Sequence, residues 1–169
     1  MAENIILKMR VSSISFSDPI TSAEGLATAV WEPQPLTLRD DEVSIVEEDP
    51  EEKEVFSHEN DSAEDYDVAG TGMSAVGAFI KATRAQLVDL LGGTTAGADA
   101  TLKFHKSAKK LMLNKAIKYV LKDGGEVIIP NAKGFVLLNA GLGYGGVLKF
   151  PFKFKCMVAS SAWDCDLVL

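Results

Sequence analysis

Val147-Leu148-Lys149-Phe150-Pro151-Phe152-Lys153-Phe154-Lys155-Cys156-Met157-Val158 is the stretch that decides the fold. Its apolar residues recur every second position. Leu148, Phe150, Phe152, Phe154, Cys156 and Val158 fall on one side, and Val147, Lys149, Pro151, Lys153, Lys155 and Met157 on the other. Successive side chains of a β-strand point to opposite faces, so this pattern predicts a long half-buried strand with a row of lysines on its outer face. Proline has no N–H for a ladder, so Pro151 predicts a sheet edge or a bulge at that point.

The same period runs through the rest of the chain. Residues 115–121 place Ile117, Tyr119 and Leu121 on one face and Lys118 on the other, with Lys122 continuing the lysine side. Asp123-Gly124-Gly125 then turns the chain into Glu126-Val127-Ile128-Ile129-Pro130, which predicts a hairpin. Near the start, Ile5, Leu7, Met9 and Val11 alternate, and Ile14 and Phe16 then take the other parity. The phase change at Ser12-Ser13 predicts a bulge or break in the first strand. Residues 26–31, 43–48, 53–57, 75–82 and 100–105 are further candidate strands. One stretch carries helical punctuation. Thr83 precedes Gln86 by three, the capping-box spacing, Leu87, Leu90 and Leu91 follow at helical intervals, and Gly92-Gly93 supplies a stop. A helix of about two turns is stable only if its leucines pack on a sheet. A further helical turn is expected at residues 111–113. Residues 58–74 read as a long polar loop, and such loops are usually functional or disordered.

Charge divides the chain. Residues 1–80 hold eighteen acidic and four basic side chains, and residues 81–155 hold four acidic and thirteen basic ones. Fourteen of the acids lie between positions 40 and 67, and the whole chain carries a net charge of −7. A sequence pI near 4.8 argues against nucleic acid as the main ligand, because phosphate binding needs a basic face. The lysines at 103, 106, 109, 110, 115, 118 and 122, with those of the last strand, keep that class open locally. Phe150, Phe152 and Phe154 lie on the opposite parity to the lysines, which assigns them to a core and not to a base-stacking platform. The lysine rows are either solvated outer faces or contacts for the acidic segment of a neighbour.

The chain, 169 residues with 47 % hydrophobic content, suits one domain with a sizeable core. No apolar run approaches ~20 residues, so no membrane span is expected, and the start is read as lacking a secretory signal. Cys156 and Cys165 are too few for a disulfide framework and are expected as reduced, buried thiols. His58, Glu59, Asn60, Asp61, Asp65 and Asp67 do not meet the calcium-loop pattern, so a solvated acidic loop is expected and no metal. Gly141-Leu142-Gly143-Tyr144-Gly145-Gly146 is followed by a strand where a dinucleotide loop needs a helix, so a flexible connection or a close backbone approach is expected. His58 and His105 have no Ser or Cys in a nucleophile motif beside them, and no carboxylate pair is singled out for acid–base work. The expectation is a protein that is not an enzyme and has no cofactor.

The succession of a long first strand, an acidic hairpin-and-loop region, the strand at 75–82, the helix ending Leu90-Leu91-Gly92-Gly93, the hairpin strand ending Val127-Ile128-Ile129-Pro130-Asn131-Ala132-Lys133 and the closing strand at 148–158 resembles the tail tube (major tail) proteins of long-tailed bacteriophages. The resemblance covers most of the chain and rests on order and spacing. It implies a mainly-β (α+β) fold: an antiparallel β-sandwich or half-barrel with one short flanking α-helix. It implies a single tail-tube-like domain over residues 1–169, with an acidic hairpin and loop region at about 40–72. It further implies a structural virion protein, made in the bacterial host cytoplasm and located in the tail. Its partners would be copies of itself in stacked hexameric rings, other tail proteins, and DNA passing through an acidic lumen without specific binding. The related secretion-tube proteins share this architecture. Glu59, Asp61, Glu64, Asp65, Asp67, Lys149, Lys153 and Lys155 are the candidate subunit-contact or lumen residues. Two other classes fit the residues: a monomeric β-sandwich binding module using residues 141–146, and a nucleic-acid-associated protein using the lysine rows.

Overall fold

A computed structural model describes residues 9–39, 41–59, 62–70 and 72–169. In chain order the elements are β1 (Val11–Ser17), a single helical turn α1 (Gly25–Thr28), β2 (Glu32–Pro33), β3 (Leu36–Thr37), β4 (Ser44–Glu47), β5 (Glu51–Phe56), β6 (Ala63–Ala69), β7 (Met73–Ile80), α2 (Arg84–Leu91), β8 (Gly93–Ala96), β9 (Lys103–Lys106), β10 (Leu113–Leu121), β11 (Glu126–Val136), β12 (Asn139–Ala140) and β13 (Leu148–Cys156). The protein is mainly β. One large antiparallel sheet runs β2-β1-β10-β11-β13-β7-β3, with β12 beside β13 and β4 beside β7. Two separate two-stranded ribbons, β5–β6 and β8–β9, stand outside it.

The alternation read from residues 147–158 is realised in β13. Phe150, Phe152, Phe154 and Cys156 are buried, while Lys153 and Lys155 are exposed. Leu148 and Val158, at the ends of the inward parity, are instead about half exposed, at 49 % and 52 %. The phase change at Ser12-Ser13 is a register shift in the pairing of β1 with β10, between Val11 and Ser13. The 121–126 turn closes the β10–β11 hairpin, with Leu121 N–H donating to Gly125 O at 2.8 Å. The Ile5 and Leu7 part of the first-strand reading lies outside the described residues.

Pro151 does not lie at an edge. β13 is an interior strand, paired with β11 and β12 on one side and β7 on the other. The N–H and C=O of one strand residue point to the same side, and Pro151 O accepts from Leu137 N–H at 2.7 Å. Its missing donor therefore falls on the Leu137 side, where the β11 and β12 pairings with β13 keep one register and a single ladder bond is absent.

The sheet is strongly curled. In a flat sheet, strands three intervals apart such as β1 and β13 would be about 14 Å apart, and β1 and β7 about 19 Å. The rings of Phe16 and Phe154 nevertheless meet edge to face with centroids 5.5 Å apart, and those of Phe16 and Phe79 at 6.1 Å. Phe79 also stacks on Phe152 at 4.5 Å. This aromatic cluster, with Ile14, Ile117, Ile129 and Ala75, is the core the curl encloses. The extended segment around β2 and β3 bridges the two margins of the curl. β2 pairs with β1, β3 pairs with β7, Gln34 N–H donates to Ile14 O at 2.9 Å and Leu38 N–H to Ala78 O at 3.0 Å.

Helix α2 forms as its punctuation predicts. Thr83 Oγ1 accepts from Gln86 N–H at 3.2 Å, and Gln86 Oε1 accepts from Thr83 N–H at 3.0 Å. Its Leu90 and Leu91 are buried in the core, and Leu87 packs at its border. Three local expectations are corrected. Residues 26–31 hold no strand: Gly25–Thr28 turns once as helix, begun by Gly25 N–H donating to Ser22 O at 3.1 Å. Residues 111–113 make no helical turn: Leu113 opens β10, and Leu111 and Met112 are exposed. The stretch at 58–74 is not one loop, since β6 and the start of β7 occupy it. No helix of the described residues is long and apolar enough to cross a membrane.

Candidate functional site

The acidic stretch leaves the sheet after β4 and returns to it at β7. Between them, β5 and β6 pair antiparallel over Glu51–Phe56 and Ala63–Ala69, and every one of these residues is exposed. The register places Glu52 opposite Val68 and Glu54 opposite Tyr66, on one face, and Lys53 opposite Asp67 and Val55 opposite Asp65, on the other. The first face mixes carboxylates with apolar surface: Phe56 is 57 % exposed and Tyr66 54 %. The Tyr66 hydroxyl has its pKa raised by local desolvation, then by the charge of Glu52, a hydrogen bond to Glu52 and the charge of Glu54.

The ribbon's base is tied to the sheet. Glu48 N–H donates to Gly72 O at 2.9 Å. The Glu48 carboxylate accepts from Ser74 Oγ at 2.9 Å and from Lys155 Nζ at 3.0 Å. The Lys155 hydrogen bond, then that of Ser74, then the Lys155 charge hold this carboxyl below its ordinary pKa, with Lys153 adding to the effect.

The eight candidate residues separate into two groups. Glu64, Asp65 and Asp67 lie on β6. Glu64 accepts from Ser57 Oγ at 3.0 Å, and Asp65 and Asp67 each accept from the next residue's backbone N–H, at 3.0 and 2.9 Å. Glu59 is exposed in the turn between β5 and β6, and Asp61 lies outside the described residues. Lys149, Lys153 and Lys155 line the outer face of β13. Two of these lysines are neutralised within the chain: Lys149 Nζ pairs with Asp41 Oδ2 at 2.8 Å and Lys155 Nζ with Glu48 Oε2 at 3.0 Å. Lys153, between them on the same face, has no carboxylate partner among the described residues. Lys115 with Asp18 at 3.1 Å and Lys118 with Glu126 at 3.7 Å are paired as well. Lys118 and Lys110 also cover the rings of Trp31 and Phe135, at 4.9 and 4.6 Å.

Among the described cations without a carboxylate partner, Lys103, Lys106, Lys109 and Lys110 are a group close together in the chain. They lie on β9 and the turn after it, beside the β8–β9 ribbon. The sequence grouped them with the other lysines, and only the fold separates paired from unpaired ones. Residues 141–146 join β12 to β13 by close backbone approach, as one of the two expectations had it: a Cβ on Gly146 would meet Gly141 O at 2.0 Å. Leu142 and Tyr144 stand fully exposed on that connection. Burial pushes the Cys156 thiol up to about 11, with the charge of Asp166 adding to it, so the thiolate that a nucleophile requires is scarce at neutral pH. Among the described residues, no group of three or more His, Cys, Asp or Glu side chains is placed to hold a metal ion.

No known protein family model matches the chain, and no curated protein matches it.

Proposed function

We propose that this chain is a structural, non-enzymatic subunit of a phage tail tube. Copies would assemble into stacked hexameric rings, and the rings into a conduit through which DNA passes without specific binding. The observation that carries the reading is the β5–β6 ribbon. A two-stranded ribbon alone in water is marginal. This one buries neither face on its own domain, yet displays Val55, Phe56, Tyr66 and Val68 among six carboxylates. Apolar surface of that kind rimmed by charge marks a surface made for association. A heterologous contact that closes makes a ring, and stacked rings make a tube. The acid density supports a conduit, because cationic contacts that release counterions are what make DNA stick. The order of elements from β7 through α2 to β13 matches the succession on which the tail-tube resemblance rests.

Negative-stain microscopy and light scattering of the purified protein test the reading. Rings and tubes of one diameter are expected. A strict monomer at high concentration with salt-sensitive DNA binding would refute it. Removing part of residues 59–67 is expected to leave a folded chain that forms no tubes, because the ribbon contributes nothing to the core. Tubes of normal length from that shortened chain would remove the ribbon from the assembly.

A further inference from the structure

We infer that the acidic β5–β6 ribbon of one copy docks into a basic-rimmed depression beside β8–β9 of a second copy, an inference that rests on the assembly reading above. The depression encloses about 340 Å³ where the end of α2, the turn after β9 and the end of β11 meet. Leu91, Leu111, Val136 and Leu138 line it, and Lys106 and Lys110 stand among its walls. Lys106 spends one donor on the neighbouring Ser107 O at 3.0 Å, and Lys110 lies over Phe135. Neither has a carboxylate partner among the described residues, unlike Lys115, Lys118, Lys149 and Lys155.

The ribbon supplies the complementary pattern. Its Glu52–Glu54–Phe56 edge and the Tyr66 and Val68 side chains opposite share one face by register. Apolar groups on that face match the apolar lining, and Glu52 and Glu54 match Lys106 and Lys110. Opposite charges arranged around an apolar centre give orientation and partner choice as well as attraction. The two surfaces are different patches of one chain, so the contact is head-to-tail and propagates from copy to copy. A nucleic acid is the poorer occupant, since the lining between the lysines is aliphatic and offers no aromatic platform for a base.

Charge reversal with rescue tests the contact. Lys106→Glu/Lys110→Glu and Glu52→Lys/Glu54→Lys are prepared as separate proteins, all four positions being exposed, and folding is checked by the urea midpoint. Sedimentation velocity at low salt is expected to show self-association weakened roughly tenfold or more in each variant alone. Mixing the two variants restores it, and raising the salt weakens the wild-type contact. Tubes that form from Lys106→Glu/Lys110→Glu as from the wild type would overturn the contact and leave the tail-tube reading standing. A mixture that fails to associate would overturn it too. Loss of duplex-DNA binding in Lys106→Glu/Lys110→Glu with self-association unchanged would hand the depression to nucleic acid. A wild-type chain that never associates would refute both this contact and the function it rests on.

Discussion

Replacing Phe16 and Phe154 by leucine, singly and together, tests whether the sheet curls on itself as described. Both rings are buried, at 4 % and 0 % exposure, and they sit three strand intervals apart in the sheet. Each single replacement is expected to cost roughly 1–3 kcal/mol through lost burial and the space left behind. The informative quantity is the coupling. An edge-to-face pair at 5.5 Å and 73° contributes about 0.5–1.5 kcal/mol beyond its buried area, so the double variant should lose that much less than the sum of the singles. In a flat sheet the rings would stand about 14 Å apart and share nothing. Urea unfolding followed by the fluorescence of Trp31 and Trp163 gives all four stabilities. Costs that add to within about 0.3–0.5 kcal/mol would refute the curl.

Three further expectations are local. Thr83→Ala removes the hydroxyl half of the α2 capping box and should lower stability by about 1 kcal/mol, with Thr83→Ser restoring most of it in the same urea assay; no change would refute the cap. Gly134→Ala places a Cβ 2.1 Å from Lys153 O, inside the β11–β13 ladder, and should cost roughly 1–3 kcal/mol. Calorimetry would read this as a fall of roughly 2–4 °C in Tm per kcal/mol, whereas Gly143→Ala, with nothing within 4 Å, should leave Tm where it is; equal Tm values for the two would refute the close approach. Glu48 has a depressed pKa, so its contribution is present above the ordinary carboxylate value of 4.5 and is lost as pH falls through the lower folded value. The urea midpoints of wild type and Glu48→Gln should therefore differ at neutral pH and converge in acid; a gap that widens on acidification would contradict the assignment.

The parts of the fold legible in the sequence are those in which one face of an element is buried. Phe150, Phe152 and Phe154 announce a strand because the side-chain period of a strand is two and only one side meets the core. Thr83 and Gln86 announce a helix start because a cap is local, decided within four residues. In β6 the alternation is only the short run Asp65-Tyr66-Asp67-Val68, and inside an acidic stretch with neither face buried it reads as polar loop. Pro151 misled because the rule that sends proline to an edge counts only its missing donor, and here the strand keeps its neighbour through the carbonyl, which accepts from Leu137 N–H. The candidate site was half legible. Acid density marked the ribbon correctly as the exposed segment. The pairing of Lys149 with Asp41 and of Lys155 with Glu48 spans 108 and 107 residues, and no spacing rule reaches that far. That Lys106 and Lys110 lack a carboxylate partner while Lys115, Lys118, Lys149 and Lys155 have one emerged only from the fold.

The short bridge formed by β2 and β3 also occupies backbone that would otherwise lie open at both margins of the curl. The strands it partly covers, Val11–Ser17 and, together with β4, Met73–Ile80, carry no charged side chain between them. Uncharged segments of that length with open backbone donors and acceptors are templates for cross-β stacking. A few residues pinned to Ile14, Phe16, Ala78 and Phe79 therefore occupy backbone groups that such stacking would use. A lesion in that bridge would declare itself as thioflavin-positive precipitate before it changed the thermal stability of what remained in solution.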